Sequence, residues 1–333
     1  MARSENQKLK LFHLRRILLE KTDGKHGITV PEIIDELEKL DIKAERKTVY
    51  TDIALLDETG IKIKKKKKDQ NCLYNVESRE FEIAELKLLV DAIQSTKFIT
   101  RKKSDELIKK LEGLCSVYEA SELQRQVYVH GRIKNMNESI YLGVDSIHDA
   151  ISSNRKISFH YGNWNIRKEM ELKKNGQLYT VSPWALTWSN DNYYLIAYDS
   201  ESAMIKHYRV DKMTDISVTK DRREGEEYFK NFNLADYTRK NISMFYGEEK
   251  KVTVEIDNSI IGVFIDRFGK DEITVMQCSE EHSLVRFEVN VNPQFLGWIF
   301  SLHDKARIIG PESAVRQSKE MVTHLVSQYF EKS

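Results

Sequence analysis

Apolar positions in the first 76 residues recur at helical spacing in three short runs, then switch to strand alternation. In "KLKLFHLRRILLEKT", Leu11, Leu14 and Leu18 fall on one stripe. "DGKHGIT" interrupts with two glycines. Thr29 stands as the N-cap of "TVPEIIDELEKL", with Pro31 in the first turn and Ile33, Ile34 and Leu37 on one face. "ERKTVYTDIALLDETG" predicts a third helix ended by Gly60. Beyond it Ile61 and Ile63 alternate, "DQN" supplies turn residues and "CLYNV" resumes as a strand. Three helices and a β-hairpin predict a winged helix-turn-helix over residues 1–77.

The pattern changes twice more. Residues 78–134 carry "EFEIAELKLLVDAIQSTKFI" and "KKSDELIKKLEGLCSVYEASEL", amphipathic and without strand alternation. They predict a helical linker whose apolar seam serves dimerisation. Residues 135–222 turn to strands after one helix, "IYLGVDSIHDAISSN". "RKISFHYG", "QLYTVSPWALTWS", "DNYYLIAYDS" and "AMIKHYRVDKMTDISVTK" are rich in β-branched and aromatic residues and predict a small β-barrel. Residues 245–333 read strand, helix, hairpin, helix, strand and a closing helix. That βαββαβ order predicts a ferredoxin-like layer. The expected class is a multidomain α+β protein.

Composition narrows the function. With 333 residues, 40% hydrophobic and 32% charged, the chain can bury real cores beneath a charged surface. The formal net charge is only +1, so attraction to nucleic acid has to come from local clustering. The three cysteines, Cys72, Cys115 and Cys278, form no CxxC pair, which argues against zinc and disulfide frameworks and suits a reducing compartment. No apolar run approaches the roughly 20 residues of a membrane span. "MARSENQKLKLFHLRR" lacks the apolar core of a secretory signal. A cytoplasmic protein without membrane partners or cofactor is expected.

In the third predicted helix Val49, Ile53 and Leu56 face the core, which leaves Arg46, Lys47, Tyr50, Thr51 and Ala54 on the other side. A basic, hydroxyl-bearing N-terminal face suits a major groove: Arg46 or Lys47 for a guanine edge, Tyr50 and Thr51 for phosphate or base. Glu45 is discordant, an acid where a hydroxyl cap is usual. Lys64, Lys65, Lys66, Lys67 and Lys68 follow directly and form the wing, where lysine acts as a point charge on phosphate. The first 76 residues hold 17 basic against 13 acidic side chains, so the positive excess is concentrated here. Double-stranded operator DNA is the expected partner.

The barrel segment carries a sharper signal. Val181 and Pro183 are followed by the triplet Tyr193, Tyr194 and Leu195, and then by Lys206, His207, Tyr208, Arg209, Asp211 and Lys212. This resembles the WYL domain of bacterial transcription factors. Tyr193 stands where the family has tryptophan, and Lys206 and Lys212 where it has arginine. The flanking units resemble the family's usual winged helix-turn-helix of the DeoR-like type and its ferredoxin-like C-terminal extension, the WCX domain. The resemblance implies a homodimeric regulator whose SH3-like (Sm-like) barrel senses a ligand, in some members single-stranded nucleic acid or a nucleotide.

Strand alternation places the expected ligand face. In "KHYRVD", Tyr208 and Val210 share one side and His207, Arg209 and Asp211 the other. With an apolar barrel interior, His207 and Arg209 point outward, near Tyr194 and Tyr161, and offer a donor fork beside stacking rings. The competing class is a nucleic-acid-processing enzyme or accessory protein that uses the winged helix for delivery. The chain has no Gly-rich phosphate loop, HExxH, metal-spaced cluster or nucleophile elbow, so no catalytic residue is assigned.

Overall fold

A computed structural model of the chain describes residues 5–68, 71–126, 134, 137, 140–230 and 232–330. The chain divides into two compact units, Met1–Glu138 and Ser139–Ser333.

The first unit begins with helix α1 (Glu5–Lys21), strand β1 (Ile28–Thr29) and helices α2 (Val30–Glu38) and α3 (Arg46–Glu58). Strands β2 (Ile63–Lys68) and β3 (Asn71–Val76) follow. The strands form an antiparallel sheet in the order β1-β3-β2. Thr29 caps α2 in a reciprocal box: its hydroxyl accepts from the Glu32 amide, and the Glu32 carboxylate accepts from the Thr29 amide at 2.7 Å. Such a cap contributes about 1 kcal/mol. The apolar stripes meet as expected, with Leu14, Leu18, Ile33, Leu37, Val49, Ile53 and Leu56 buried against Tyr74 and Val76 of β3.

Three short helices come next: α4 (Ile83–Ser95), α5 (Arg101–Glu112) and α6 (Val117–Gln126). Thr100 caps α5 through the Lys103 amide, and Leu86, Cys115 and Leu123 make a small core of their own. This bundle is tied to the first three helices at a buried carboxylate. Asp23 accepts from the amides of Lys25 and His26 and from the Ser116 hydroxyl at 2.6 Å. His26 stacks on Tyr118 at 3.9 Å, and Arg79 donates to the Leu19 carbonyl. Residues 127–133 of the expected linker lie outside the described residues.

The second unit opens with helix α7 (Ile140–Ser152) and strands β4 (Arg155–Trp164), β5 (Met170–Leu172), β6 (Tyr179–Ser189), β7 (Asn192–Asp199), β8 (Met204–Arg209) and β9 (Met213–Arg222). The order is β5-β4-β6-β7-β8, and β9 pairs with β4 off this path. The stretch expected as one strand from Met204 onward is broken by a 3₁₀ turn at Val210–Lys212. Ile157, Phe159, Val181, Leu195, Tyr208, Val210 and Met213 fill the interior. Helix α8 (Leu234–Lys240) leads into the last layer. That layer holds β10 (Glu248–Asp257), α9 (Ile261–Phe268), β11 (Thr274–Gln277), β12 (His282–Val291), α10 (Pro293–Phe300), β13 (Ala306–Gly310) and α11 (Glu312–Phe330). Its strands run β11-β12-β10-β13, all antiparallel. Alternate residues from Val252 to Ile256 and from Val285 to Val291 pack on Phe264, Phe268 and Phe295. Among the described residues no helix is long and apolar enough to cross a membrane.

Candidate functional site

Helix α3 presents the face expected of it. Arg46, Lys47, Tyr50, Thr51 and Ala54 are exposed, while Val49, Ile53 and Leu56 are buried. Glu45 sits at the N-cap without a side-chain cap bond, and the Thr48 hydroxyl donates to its carbonyl. The Thr51 hydroxyl donates to the Lys47 carbonyl at 3.2 Å, a bond a ligand can replace at little cost.

The five lysines do not form a loop. They lie in β2, an outer strand of the sheet, where charge also discourages pairing with another chain. Strand alternation puts Lys65 and Lys67 on one face, with Ile63, and Lys64 and Lys66 on the other. Lys65 lies opposite Tyr74, its ammonium 5.8 Å from the ring. Tyr50, Ala54, Ile63, Lys65 and Tyr74 line a shallow hollow between α3 and the hairpin. On the other face Lys64 is neutralised by Glu77 at 2.6 Å. The Lys68 side chain and the hairpin tip at 69–70 lie outside the described residues.

On the six-stranded sheet, beside Tyr161 and Tyr179, cations gather around tyrosine rings. Phe159, Tyr161, Tyr179 and Tyr208 form one aromatic cluster. Phe159 stacks on Tyr179 at 5.5 Å, and Tyr161 meets Tyr208 edge-on at 5.5 Å. The Tyr161 hydroxyl accepts from the Arg209 amide, which aligns β4 with the end of β8. Burial pushes the Tyr161 and Tyr194 phenols up, so both stay protonated. The Tyr208 hydroxyl is buried and has no hydrogen-bond partner among the described residues. Tyr194 lies directly across from Arg209.

Arg209 is half-buried. Its Nε and Nη2 hold the Asp211 carboxylate at 3.0 and 2.8 Å, and Nη2 also donates to the Asn192 side-chain Oδ1 at 2.8 Å. The hydrogen bonds to Asp211 hold the guanidinium charged, so it is positioned but not free. Lys212 donates to Asn163 at 2.8 Å. Burial, then Arg209 and Lys173, push its ammonium below the usual lysine range, although Asp211 opposes this. Lys173 and Lys174 lie over Tyr161 and Tyr179, at 5.7 and 4.8 Å from the ring centres. Arg209, Lys212, Lys173 and Lys174 thus gather with Asp211 at a rim that an anion would relieve.

His207 corrects the expected ligand face. Alternation turns it away from the core as expected, but that side of β7 and β8 is covered by chain that follows β9. Its Nδ1 bonds the Met244 carbonyl and its Nε2 the Tyr237 hydroxyl, both at 2.7 Å. Burial holds the imidazole below its ordinary value. His207 is therefore a tie between β8 and the segment around α8, and it is not part of the open rim. Ile196, its cross-strand neighbour, is fully buried under the same cover. Gly225 enters this cover with φ +83°, and a Cβ there would lie 2.4 Å from the Tyr198 ring. Lys206 pairs with the buried Asp199 and is likewise spent on structure.

A second line of contacts leaves Arg209. Asn192, which accepts from Arg209, donates to the Asn190 carbonyl, and the Asn190 side chain donates to the Ser243 hydroxyl at 2.8 Å. Ser243 and Met244 are consecutive non-glycine residues in the left-handed region, at φ 56° and 58°. Such residues persist only where neighbours hold them, and here Asn190 and His207 do so. Lys173, Lys174, Tyr179 and Asn192 are not singled out from sequence, and Lys212 is named there only as standing where the family has arginine. Of these only "KKNG" carries a local signal, as a turn with asparagine before glycine.

Comparison with known proteins gives one firm assignment: residues 144–218 match the WYL domain model, so the chain carries a WYL domain. A search of curated proteins found no match. Among solved structures, proteasome accessory factor B/C (PafBC) of Arthrobacter aurescens aligns at 16% identity with a TM-score of 0.30, over 98% of this chain and 49% of that one. A CRISPR Cas-related protein aligns at 12% identity with a TM-score of 0.35, over 90% of this chain and 78% of that one. The chain spans about half the length of the PafBC chain it matches.

Proposed function

We propose that this protein is a cytoplasmic, homodimeric DNA-binding transcription regulator whose WYL domain senses a nucleotide or single-stranded nucleic acid. The first 77 residues are read as a winged helix-turn-helix, the WYL strands as an SH3-like barrel and the last layer as a ferredoxin-like extension. The reading is of a binding protein and not of an enzyme.

The observation that carries it is the barrel end, where Arg209, Lys212, Lys173 and Lys174 gather around tyrosine rings beside Asp211. Arginine offers a planar fork to phosphate, and a ring stacks a base at roughly 1–3 kcal/mol. In the DNA-binding unit, Arg46, Lys47, Tyr50 and Thr51 read the groove while Lys65, Lys66 and Lys67 meet phosphate.

The test is a titration of short DNA, RNA and mononucleotides against wild type and Arg209→Ala. Loss of a charged hydrogen-bond donor, roughly 1.5–3 kcal/mol, lowers affinity about 10- to 100-fold. Equal binding by both proteins would remove Arg209 from the site, and no binding by wild type would leave the barrel as a protein-interaction module.

A further inference from the structure

The segment between β5 and β6 has an unusual backbone. Lys174, Asn175 and Gly176 follow one another at φ 50°, 56° and 78°. Two of the three are not glycine, and the left-handed region is sparsely populated for them. This tight left-handed turn folds two neighbouring lysines back over the barrel end. Lys173 reaches the Tyr161 ring and Lys174 the Tyr179 ring. Both lysines are exposed, and among the described residues neither makes an ion pair or hydrogen bond through its ammonium. Their contact with the rings is therefore replaceable.

The two rings belong to one cluster, 6.0 Å apart, so a ligand that needs one of them meets an ammonium already in place. The cations beside them, Arg209 and Lys212, are engaged with protein oxygens. An incoming phosphate thus finds its least engaged partners in Lys173 and Lys174.

Resting on the reading of the barrel end as a nucleotide site, we propose that the Lys173–Gly176 loop is a gate that sets its specificity. Its ammonium groups occupy the tyrosine faces in the empty protein. A base that stacks on a ring displaces an ammonium, and the displaced ammonium swings to the phosphate beside that base. A ligand with both a base and a phosphate compensates fully for opening the gate. A base alone has to displace a cation without giving it an anion, and a phosphate alone leaves the rings unused. The site therefore selects single-stranded nucleic acid or nucleotides over free nucleosides and over inorganic polyanions.

Three short probes separate the contributions when titrated into the full chain by fluorescence anisotropy. They are 5′-phosphorylated oligothymidylate, an abasic deoxyribose-phosphate strand, and oligothymidylate on an uncharged methylphosphonate backbone. Wild type is compared with the Lys173→Met/Lys174→Met variant, which keeps apolar stems and removes both charges. The gate predicts opposite signs. The variant binds the uncharged probe about two- to fivefold more tightly, because no cation has to leave the ring. It binds the abasic strand about threefold or more weakly, with a shallower salt dependence. If the variant weakens all three probes alike, or leaves the uncharged probe unchanged, the lysines are ordinary phosphate contacts and the gate is wrong while the nucleotide site stands. If neither protein binds any probe, the nucleotide reading fails and the gate with it.

Discussion

At the scale of single residues, His207 and Arg209 divide the work of one strand. Both point away from Tyr208, yet one is tied down and the other sits at a rim. Burial disfavours the charged imidazole, so the folded state takes up a proton at His207 less readily than the unfolded chain does. Stability from this site is fully present above the ordinary value near 6.5 and falls as the pH drops below it, by up to about 1.4 kcal/mol per unit. Replacing His207 by Gln should cost about 1–3 kcal/mol at pH 7.5, because the Met244 carbonyl and the Tyr237 hydroxyl lose a partner. The gap between wild type and variant should narrow at pH 5.5, since the variant has no imidazole to protonate. Urea unfolding of both proteins at the two pH values checks this; a gap that stays constant would mean that His207 titrates alike in both states.

At the scale of elements, β2 divides the lysine block in two. Lys64 is spent on Glu77, whereas Lys65 and Lys67 share the face that borders α3. Replacing Lys64 to Lys68 with alanine should weaken DNA binding about uniformly across sequences and flatten the log–log salt slope by roughly 0.9 per lost phosphate contact. Lys64→Ala alone should change the slope less than Lys66→Ala. Salt titrations of the three variants decide it, and an unchanged slope for the full block would make β2 merely a protected strand edge.

The same scale shows what a sequence can and cannot carry. Spacing alone placed Val49, Ile53 and Leu56 inside and Lys47, Tyr50 and Thr51 outside, because burial follows helical period directly. Alternation likewise sent Tyr208 and Val210 into the barrel. It could not say what covers the opposite side. The residues that do so, among them Tyr228, Tyr237 and Met244, pack through isolated contacts such as Tyr228 on Tyr198 and Tyr237 on His207, and such contacts leave no period to read. The Lys173 and Lys174 contacts were hidden for a related reason. They depend on left-handed backbone at lysine and asparagine, which residue identity only weakly signals.

For the whole molecule, sensing requires that the ligand prefer one arrangement of the protein. Arg209 is joined through Asn192 and Asn190 to Ser243, and β8 is joined through His207 to Met244, so both lines end at one strained corner before β10. A ligand that draws Arg209 away from Asn192 acts on a segment that its neighbours alone hold in place. The exposed apolar stripe of α11, with Val322, Leu325, Val326 and Tyr329, supports the homodimer in this account. Light scattering at micromolar concentration should give twice the chain mass, and a monomer with and without DNA would count against it.

Sensing as proposed requires that occupancy of the rim at Arg209 change DNA binding. Its most direct test measures the affinity of the full chain for a duplex obtained by in vitro selection, with and without saturating 5′-phosphorylated oligothymidylate, for wild type and Arg209→Ala. A coupling of about 1–3 kcal/mol predicts a shift of roughly 5- to 150-fold for wild type and none for the variant. Oligothymidylate that binds wild type yet leaves its duplex affinity unchanged would contradict the account.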